Sequence, residues 1–247
     1  MLFRSVVGSH FDDDNGSQSG SVYVYDLSKN IGDEGFERKI IASDGASADY
    51  FGHQIALDES TLVVSSHHND DNGENSGSVY VYDLTKNSVD AGFERKITAS
   101  DGATSDQFGI SVAIDGTTLV VGAYDDANGE NSGSVYVYDL TKTSGDDGFE
   151  TKITASDGAS GDFFGHSVAI DGTTLVVGAY NDDGNRTESG SVYIYDLNKN
   201  SGEEGFERKI TASDGSTQDY FGYSVKIDGS DRKSTRLNSI HVRTSRM

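Results

Sequence analysis

Phe164-Gly-His-Ser-Val-Ala-Ile-Asp-Gly-Thr-Thr-Leu-Val-Val-Gly-Ala179 decides the fold of this chain. In its first half, Phe164, His166, Val168 and Ile170 fall on one face of an extended segment, and Gly165, Ser167 and Ala169 on the other. The second half, Thr174–Ala179, is apolar on both faces, the pattern of a strand buried between layers. Asp171-Gly172 between them has the chemistry of a two-residue hairpin turn, because Gly accepts positive φ and Asp tolerates it. Working outward, Ser191–Tyr195 is a third strand rich in aromatic and β-branched residues. Phe206–Ala212 is a fourth, carrying charges suited to a sheet edge. No window shows a 3.6-residue period, so an all-β chain is expected.

This unit repeats. Gly-Ser-Val-Tyr-(Val/Ile)-Tyr-Asp-Leu begins at Gly20, Gly77, Gly133 and Gly190, and Phe-Gly pairs stand at Phe51, Phe108, Phe164 and Phe221. Both series are spaced by 57, 56 and 57 residues. Ala-Ser-Asp-Gly recurs just ahead of each pair, with its aspartate at Asp44, Asp101, Asp157 and Asp214. Four antiparallel strands per repeat is the arithmetic of a β-propeller blade. A β-solenoid is the competing arrangement, but solenoid coils are usually shorter than this. The small Gly-Ser-Ala face of the first strand suits an innermost position, where blades crowd together.

Composition narrows the function. The 247 residues include 41 acidic and 19 basic ones, a net charge of −22, with no Cys, Pro or Trp. Such an acidic balance argues against a nucleic-acid partner, which needs a basic face. Zero cysteine excludes disulfides, thiolate catalysis and cysteine-based zinc sites. No apolar run approaches the roughly 18 residues of a spanning helix, so membrane insertion is not expected.

Phe164-Gly165 followed by Gly178-Ala179-Tyr180, and Phe108-Gly109 followed by Gly122-Ala123-Tyr124, resemble the FG-GAP repeat, the blade unit of the integrin α-subunit propeller. The resemblance covers residues 1–230, with repeats starting near Gly20, Gly77, Gly133 and Gly190. It implies an all-β propeller of four-stranded antiparallel blades. About four blade-equivalents are present, against the seven blades and about 400 residues of a whole ring, so a fragment of a larger propeller is expected. For function the resemblance implies non-enzymatic adhesion or ligand binding, extracellular or at the cell surface, with loops presented to a protein or glycan partner. Two alternatives stand beside it: a structural propeller accessory to a catalytic hydrolase domain, as in phospholipase-type enzymes, and a calcium-stabilised surface scaffold.

Calcium-binding members of that family carry Asp-x-Asp-x-Asp-Gly-x-x-Asp between the first two strands. Here that connection is a tight turn, Asp58-Glu59, Asp115-Gly116 or Asp171-Gly172, too short to wrap an ion with six or more oxygens. The family's metal residues therefore do not carry over. The Asx-rich loops between the second and third strands are the remaining candidates for holding Ca2+. Asp12, Asp14, Asn69, Asp71, Asp125, Asp126, Asn128, Asn181 and Asp183 place oxygen donors close together ahead of or beside a glycine. Solvated turns built from the same residues are the alternative. His53 and His166 share their repeat position with Ile110 and Tyr223, which reads as packing, whereas His67-His68 beside Asp70 and Asp71 has donors for a metal. The tyrosine pairs of the third strands read as sheet packing. No nucleophile, phosphate loop or triad stands out, so no catalytic or other cofactor-binding residue is expected.

The first repeat begins inside a unit, with Ser5–His10 matching a second strand, and Met1-Leu2-Phe3-Arg4 has no signal-peptide core. Residues 231–247 form a basic tail, and Asp231–Ser239 resembles translated sequencing-adapter read-through. The tail is expected to be non-native and disordered. Without it, 14 basic residues face 40 acidic ones, a balance suited to a saline or calcium-rich exterior.

Overall fold

A computed structural model describes residues 4–86, 94–125, 131–203 and 206–228, so the basic tail lies outside it. All regular structure in this range is β, and no helix in it is long and apolar enough to cross a membrane. The first sheet has three strands, β1 (Arg4–Ser9), β2 (Ser21–Asp26) and β3 (Glu37–Ile40). The second contains β4 (Ile55–Asp58), β5 (Thr61–Ser66), β6 (Ser78–Asp83) and β7 (Glu94–Ile97). The third contains β8 (Ser111–Asp115), β9 (Thr118–Ala123), β10 (Ser134–Asp139) and β11 (Glu150–Ile153). The fourth contains β12 (Phe164–Asp171), β13 (Thr174–Ala179), β14 (Ser191–Asp196) and β15 (Glu207–Ile210). Every sheet is an antiparallel meander in chain order, the form of a propeller blade. The first two sheets belong to one compact unit, Met1–Gly109, and the last two to another, Ile110–Met247.

Each blade is built around the aromatic residues of its motifs. Phe164 is fully buried and packs edge-on against Tyr193 at 5.3 Å and Tyr195 at 6.1 Å between ring centroids. In the other unit, Phe51 does the same to Tyr80 at 5.3 Å and Tyr82 at 6.2 Å. All four of these tyrosines are fully buried, so sheet packing is their role. Edge-to-face contact is the favoured geometry for rings of this quadrupole.

Neighbouring blades of a unit meet backbone to backbone. Phe51 N donates to Ser19 O at 3.1 Å, Phe108 N to Ser76 O at 3.0 Å, Phe164 N to Ser132 O at 3.1 Å and Phe221 N to Ser189 O at 2.9 Å. Beside this last bond Gly190 sits at φ 82°, and a Cβ there would clash with Phe221 O. Gly77 and Gly133 are in the same situation against Phe108 and Phe164. Only glycine fits both the left-handed backbone and the close approach.

Two details differ from the sequence expectation. The residues of the tight turns are displaced by one: Asp171 pairs with Thr174 and Asp58 with Thr61, so the loops are Gly172-Thr173 and Glu59-Ser60. The aspartate closes the ladder and the following residue takes the positive φ, 57° at Gly172 and 49° at Glu59. First strands also start later than expected in two blades, at Ile55 and Ser111. A register shift between Phe164 and Ser167 marks the cause, a bulge after the Phe-Gly pair that the ladder spans only in β12.

These glycine positions give a stability test. Glu59→Gly relieves a left-handed side chain and is expected to stabilise unit one by about 1 kcal/mol. Gly190→Ala, by contrast, is expected to destabilise by more than about 2 kcal/mol, since both backbone strain and a clash result. Urea denaturation of both variants checks the opposite signs.

Candidate functional site

The Asx-rich loops of the first two blades lie on the same edge as the connection to the following blade. Ala48 N donates to Ser17 O at 2.8 Å and Tyr50 N to Gln18 O at 3.1 Å, while Ser105 N and Gln107 N repeat the pattern on Glu74 and Asn75. The loop side chains form the turns themselves. Asp13 Oδ1 accepts from Gln18 N at 2.7 Å, Asp70 Oδ1 from Asn75 N at 2.7 Å and Asp183 Oδ1 from Glu188 N at 3.0 Å. Asn15, Asn72 and Asn185 donate through Nδ2 to the carbonyls of Ala42, Ala99 and Ala212.

A lysine on the fourth strand meets the remaining carboxylates. Lys39 Nζ lies 3.0 Å from Asp12 Oδ2 and also reaches Asp14. Lys96 Nζ lies 2.6 Å from Asp44 Oδ2 and also reaches Asp71. Lys209 Nζ lies 2.7 Å from Asp157 and 2.8 Å from Asp182. Each ammonium also stands over a third-strand tyrosine ring, at 5.2 Å from Tyr23 and Tyr80 and 5.1 Å from Tyr193. The tyrosine hydroxyls complete the network: Tyr80 donates to Asp44 at 2.7 Å, and Tyr193 Oη lies 2.7 Å from Asp157 and 2.8 Å from Asp182, its single proton serving one carboxylate at a time. Asp44 and Asp157 come from the Ala-Ser-Asp-Gly segment of the preceding repeat, so each network staples one blade to the next.

Burial pushes the Asp182 carboxyl up, but hydrogen bonds from Lys209 and Ser191 outweigh it and hold the group below the usual range. Burial likewise pulls Lys209 down, and its bonds to Asp157 and Asp182 more than offset that. Tyr193 is pushed up by burial and by Asp157.

Of the expected metal ligands, Asp12 and Asp14 are brought together, with Lys39 between them. Asn69 is buried and bonds Ser78 and Asp49, while Asp71 faces Lys96. Asp125 follows β9, and Asp126 and Asn128 lie outside the described residues. Asn181 points away from its loop's network and donates to Gly161 O at 2.8 Å. Its neighbour Asp182 takes the place of Asn69 and Asp12, as the matching bonds from Gly190 N, Gly77 N and Gly20 N to residues 182, 69 and 12 show. Counting back from the glycine of the third strand would have found Asp182. The lysines were missed too, although Lys39, Lys96, Lys152 and Lys209 recur in step with the repeat. Among the described residues no group of three or more His, Asp or Glu stands so as to hold a metal ion.

The FG-GAP repeat model matches residues 35–82, 92–138, 148–195 and 205–231. The chain belongs to the FG-GAP repeat family. No curated protein matches it. Among solved structures, the computationally designed Ika4 protein is similar over 71% of this chain and 79% of its own, at 14% identity and a TM-score of 0.39. The designed Ika8 protein covers 91% and 62%, at 14% and 0.40. Prolyl oligopeptidase B from Galerina marginata covers 78% of this chain and 23% of its own, at 14% and 0.44.

FG-GAP repeats in this chain share a second feature, an aromatic and histidine seam beside the Phe-Gly pairs. His10, Phe11, Tyr50, His53, His67 and His68 cluster in one unit, with His53 and His67 4.1 Å apart and His10 and His53 5.5 Å apart. Tyr124, Phe163, His166, Tyr180, Tyr220 and Tyr223 form its counterpart in the other. His53 and His166 thus sit in packing positions, as their exchange with Ile110 and Tyr223 suggested. Burial, aided by the neighbouring His53, His68 and His10, pushes His67 down to about 2. Tyr180 is pushed up to about 12 by burial and by the tyrosines around it.

These groups give three tests. Lys209→Met strands the buried Asp182 and is expected to cost about 2 kcal/mol in thermal unfolding. In the intact chain calcium and chelator are expected to leave the midpoint unchanged, whereas in Lys39→Met, with Asp12 and Asp14 freed, calcium is expected to stabilise by about 1 kcal/mol. The third concerns pH. The depressed His67 binds its proton more readily in the unfolded chain, so its contribution is whole above the ordinary value of 6.5 and is lost as pH falls from there toward 2. Lowered Asp12, Asp44, Asp157 and Asp182 lose theirs only below the ordinary 3.8, and raised Asp49 and Asp162 act in the opposite sense. Between pH 6.5 and 4.5 the chain is expected to lose about 2 kcal/mol through His67, and His67→Tyr, the residue found at Tyr180, is expected to reduce that slope in urea titrations, with His68 and His166, both lowered by burial, supplying the remainder.

Proposed function

We propose that this FG-GAP chain is a non-enzymatic binding module, working outside the cell or at its surface, that offers the loop-bearing rim of its blades to a protein or glycan partner. The observation that carries this reading is the division of labour within the Asx loops. Residues that build the turn bond internally in the three described loops, whereas exposed positions differ: Ser17, Glu74 and Thr187 share one repeat position, with Arg186 beside it. A fixed scaffold with varied exposed loop residues suits recognition. The carboxylates support binding over catalysis, because lysine and tyrosine hold them in a network without a nucleophile. No observation favours an accessory role beside a hydrolase.

In place of calcium stabilisation, we assign the cationic role in the acidic loops to Lys39, Lys96 and Lys209. The strong negative charge of the chain suits a saline exterior, where screening eases self-repulsion.

The test is binding of the intact chain to immobilised glycans and matrix proteins. Glu74→Arg and Arg186→Glu, which alter exposed residues outside the networks, are expected to weaken the interaction at least about tenfold (about 1.4 kcal/mol) with unchanged thermal midpoints. Binding indifferent to both substitutions would place the contact elsewhere, and turnover of an ester or glycoside by the purified chain would overturn the non-enzymatic reading.

A further inference from the structure

The third blade breaks a pattern that the other repeats keep. The position held by Arg38, Arg95 and Arg208 on the fourth strands is Thr151 on β11. The two residue types stand in the same register, since Arg38 pairs with Val24 and Thr151 with Val137. Arg38 reaches into the next blade, where its Nη1 donates to Lys86 O at 3.3 Å. Lys86 lies in the connection between that blade's third and fourth strands, and Lys199 holds the corresponding place in the fourth blade. Thr151 is too short to make the same reach.

Thr151 and Lys199 instead border a cavity of about 740 Å³, a size usual for ligand sites. It lies wholly within the second unit, between β11 and the connection from β14 to β15. Val137, Ile153, Leu197 and Phe206 give it apolar walls, and Glu203 and Glu207 bring carboxylates to it. Elsewhere this junction matches the one in the first unit, for Ser156 donates to Glu207 as Ser43 does to Glu94. The arginine position is where the two junctions part.

Among the described residues Glu203 accepts only from Asn200, through N at 3.1 Å and Nδ2 at 2.8 Å. These bonds hold its carboxyl below the usual range, so the group is charged. Lys152 also borders the cavity, but its ammonium stands over the Tyr136 ring at 5.2 Å.

We propose that this cavity takes an arginine side chain of a partner protein, which fills from outside the place that Arg38 fills from within at the other junction. The aliphatic stem lies along Val137 and Leu197, and the guanidinium lies against Phe206 with Glu203 as its counter-ion. Lysine fits less well, because its ammonium lacks the planar fork that bonds a carbonyl and a carboxylate together. The net charge of −22 draws a basic partner toward the chain. The cavity stands at the third-to-fourth-strand connection, at the opposite end of the blade from the Asx loops, so it does not rest on the rim reading above.

The probe is N-acetyl-arginine methylamide, titrated into the intact chain while the backbone amide shifts of Thr151, Lys199 and Phe206 are followed. Saturable shifts at these residues are expected, with a Kd on the order of 1 mM for a ligand of this size. The citrulline analogue, alike in shape but uncharged, is expected to bind at least about tenfold more weakly. Thr151→Arg fills the place from within and is expected to abolish binding with the thermal midpoint kept, since arginine is what the other repeats carry. Glu203→Gln, at an exposed residue, is expected to weaken binding about fivefold, and it decides alone should Thr151→Arg fail to fold. Absence of saturable shifts overturns the proposal, as does equal affinity for the citrulline analogue. Binding that neither substitution weakens overturns it too.

Discussion

The hydrogen bond from each Phe-Gly phenylalanine N–H to the serine carbonyl of the preceding repeat is the constraint on which this structure depends. It brings two backbones into contact beside a glycine whose Cβ would strike the phenylalanine carbonyl. Once that contact is made, the phenylalanine ring points into its own blade and closes over the tyrosine pair. Blade-to-blade spacing and blade core are therefore set by the same residue. Both motifs that repeat most faithfully along the chain are the two halves of this one joint, which is a physical reason for their co-occurrence at a common period.

Much of this was legible in the amino-acid sequence. Strand order, the antiparallel meander and the packing role of the tyrosines follow from period-two patterning and from the repeat, and these rest on local side-chain chemistry. Turn residues came out one position off, because a hairpin is defined by which residues pair and Asp-Gly reads the same whether its aspartate closes the ladder or sits in the loop. The site was less legible. Oxygen-rich loops were visible, but the occupant of their negative field comes from a strand 27 residues away within the blade, as Lys39 is from Asp12 and Lys209 from Asp182. The displacement from Asn181 to Asp182 had a related cause, since the fourth loop places its first Asx residue one step ahead of the register kept by the others.

The electrostatics of the chain are more local than its composition suggests. A large excess of acid would be expected to repel itself across the surface, yet carboxylates near the blade junctions are paired with lysine and capped by tyrosine hydroxyls in a partly dry setting. Such networks rigidify a structure when every member is satisfied. Among the described residues Asp13, Asp49, Asp70 and Asp183 instead accept backbone N–H groups and set loop shape. Charge here acts first as architecture, and the exposed loop positions that vary between repeats remain open to recognition.

The network that joins Asp44 to Tyr80 and Lys96, repeated by Asp157 with Tyr193 and Lys209, divides its parts between neighbours. In both described junctions the aspartate comes from one repeat and the tyrosine and lysine from the next. Residues inserted or removed between β13 and β15 would carry Lys209 away from the buried Asp182 and orphan its charge. A shift by one whole repeat would return the same residue types to the same places, so the joint tolerates a full period and resists any smaller step.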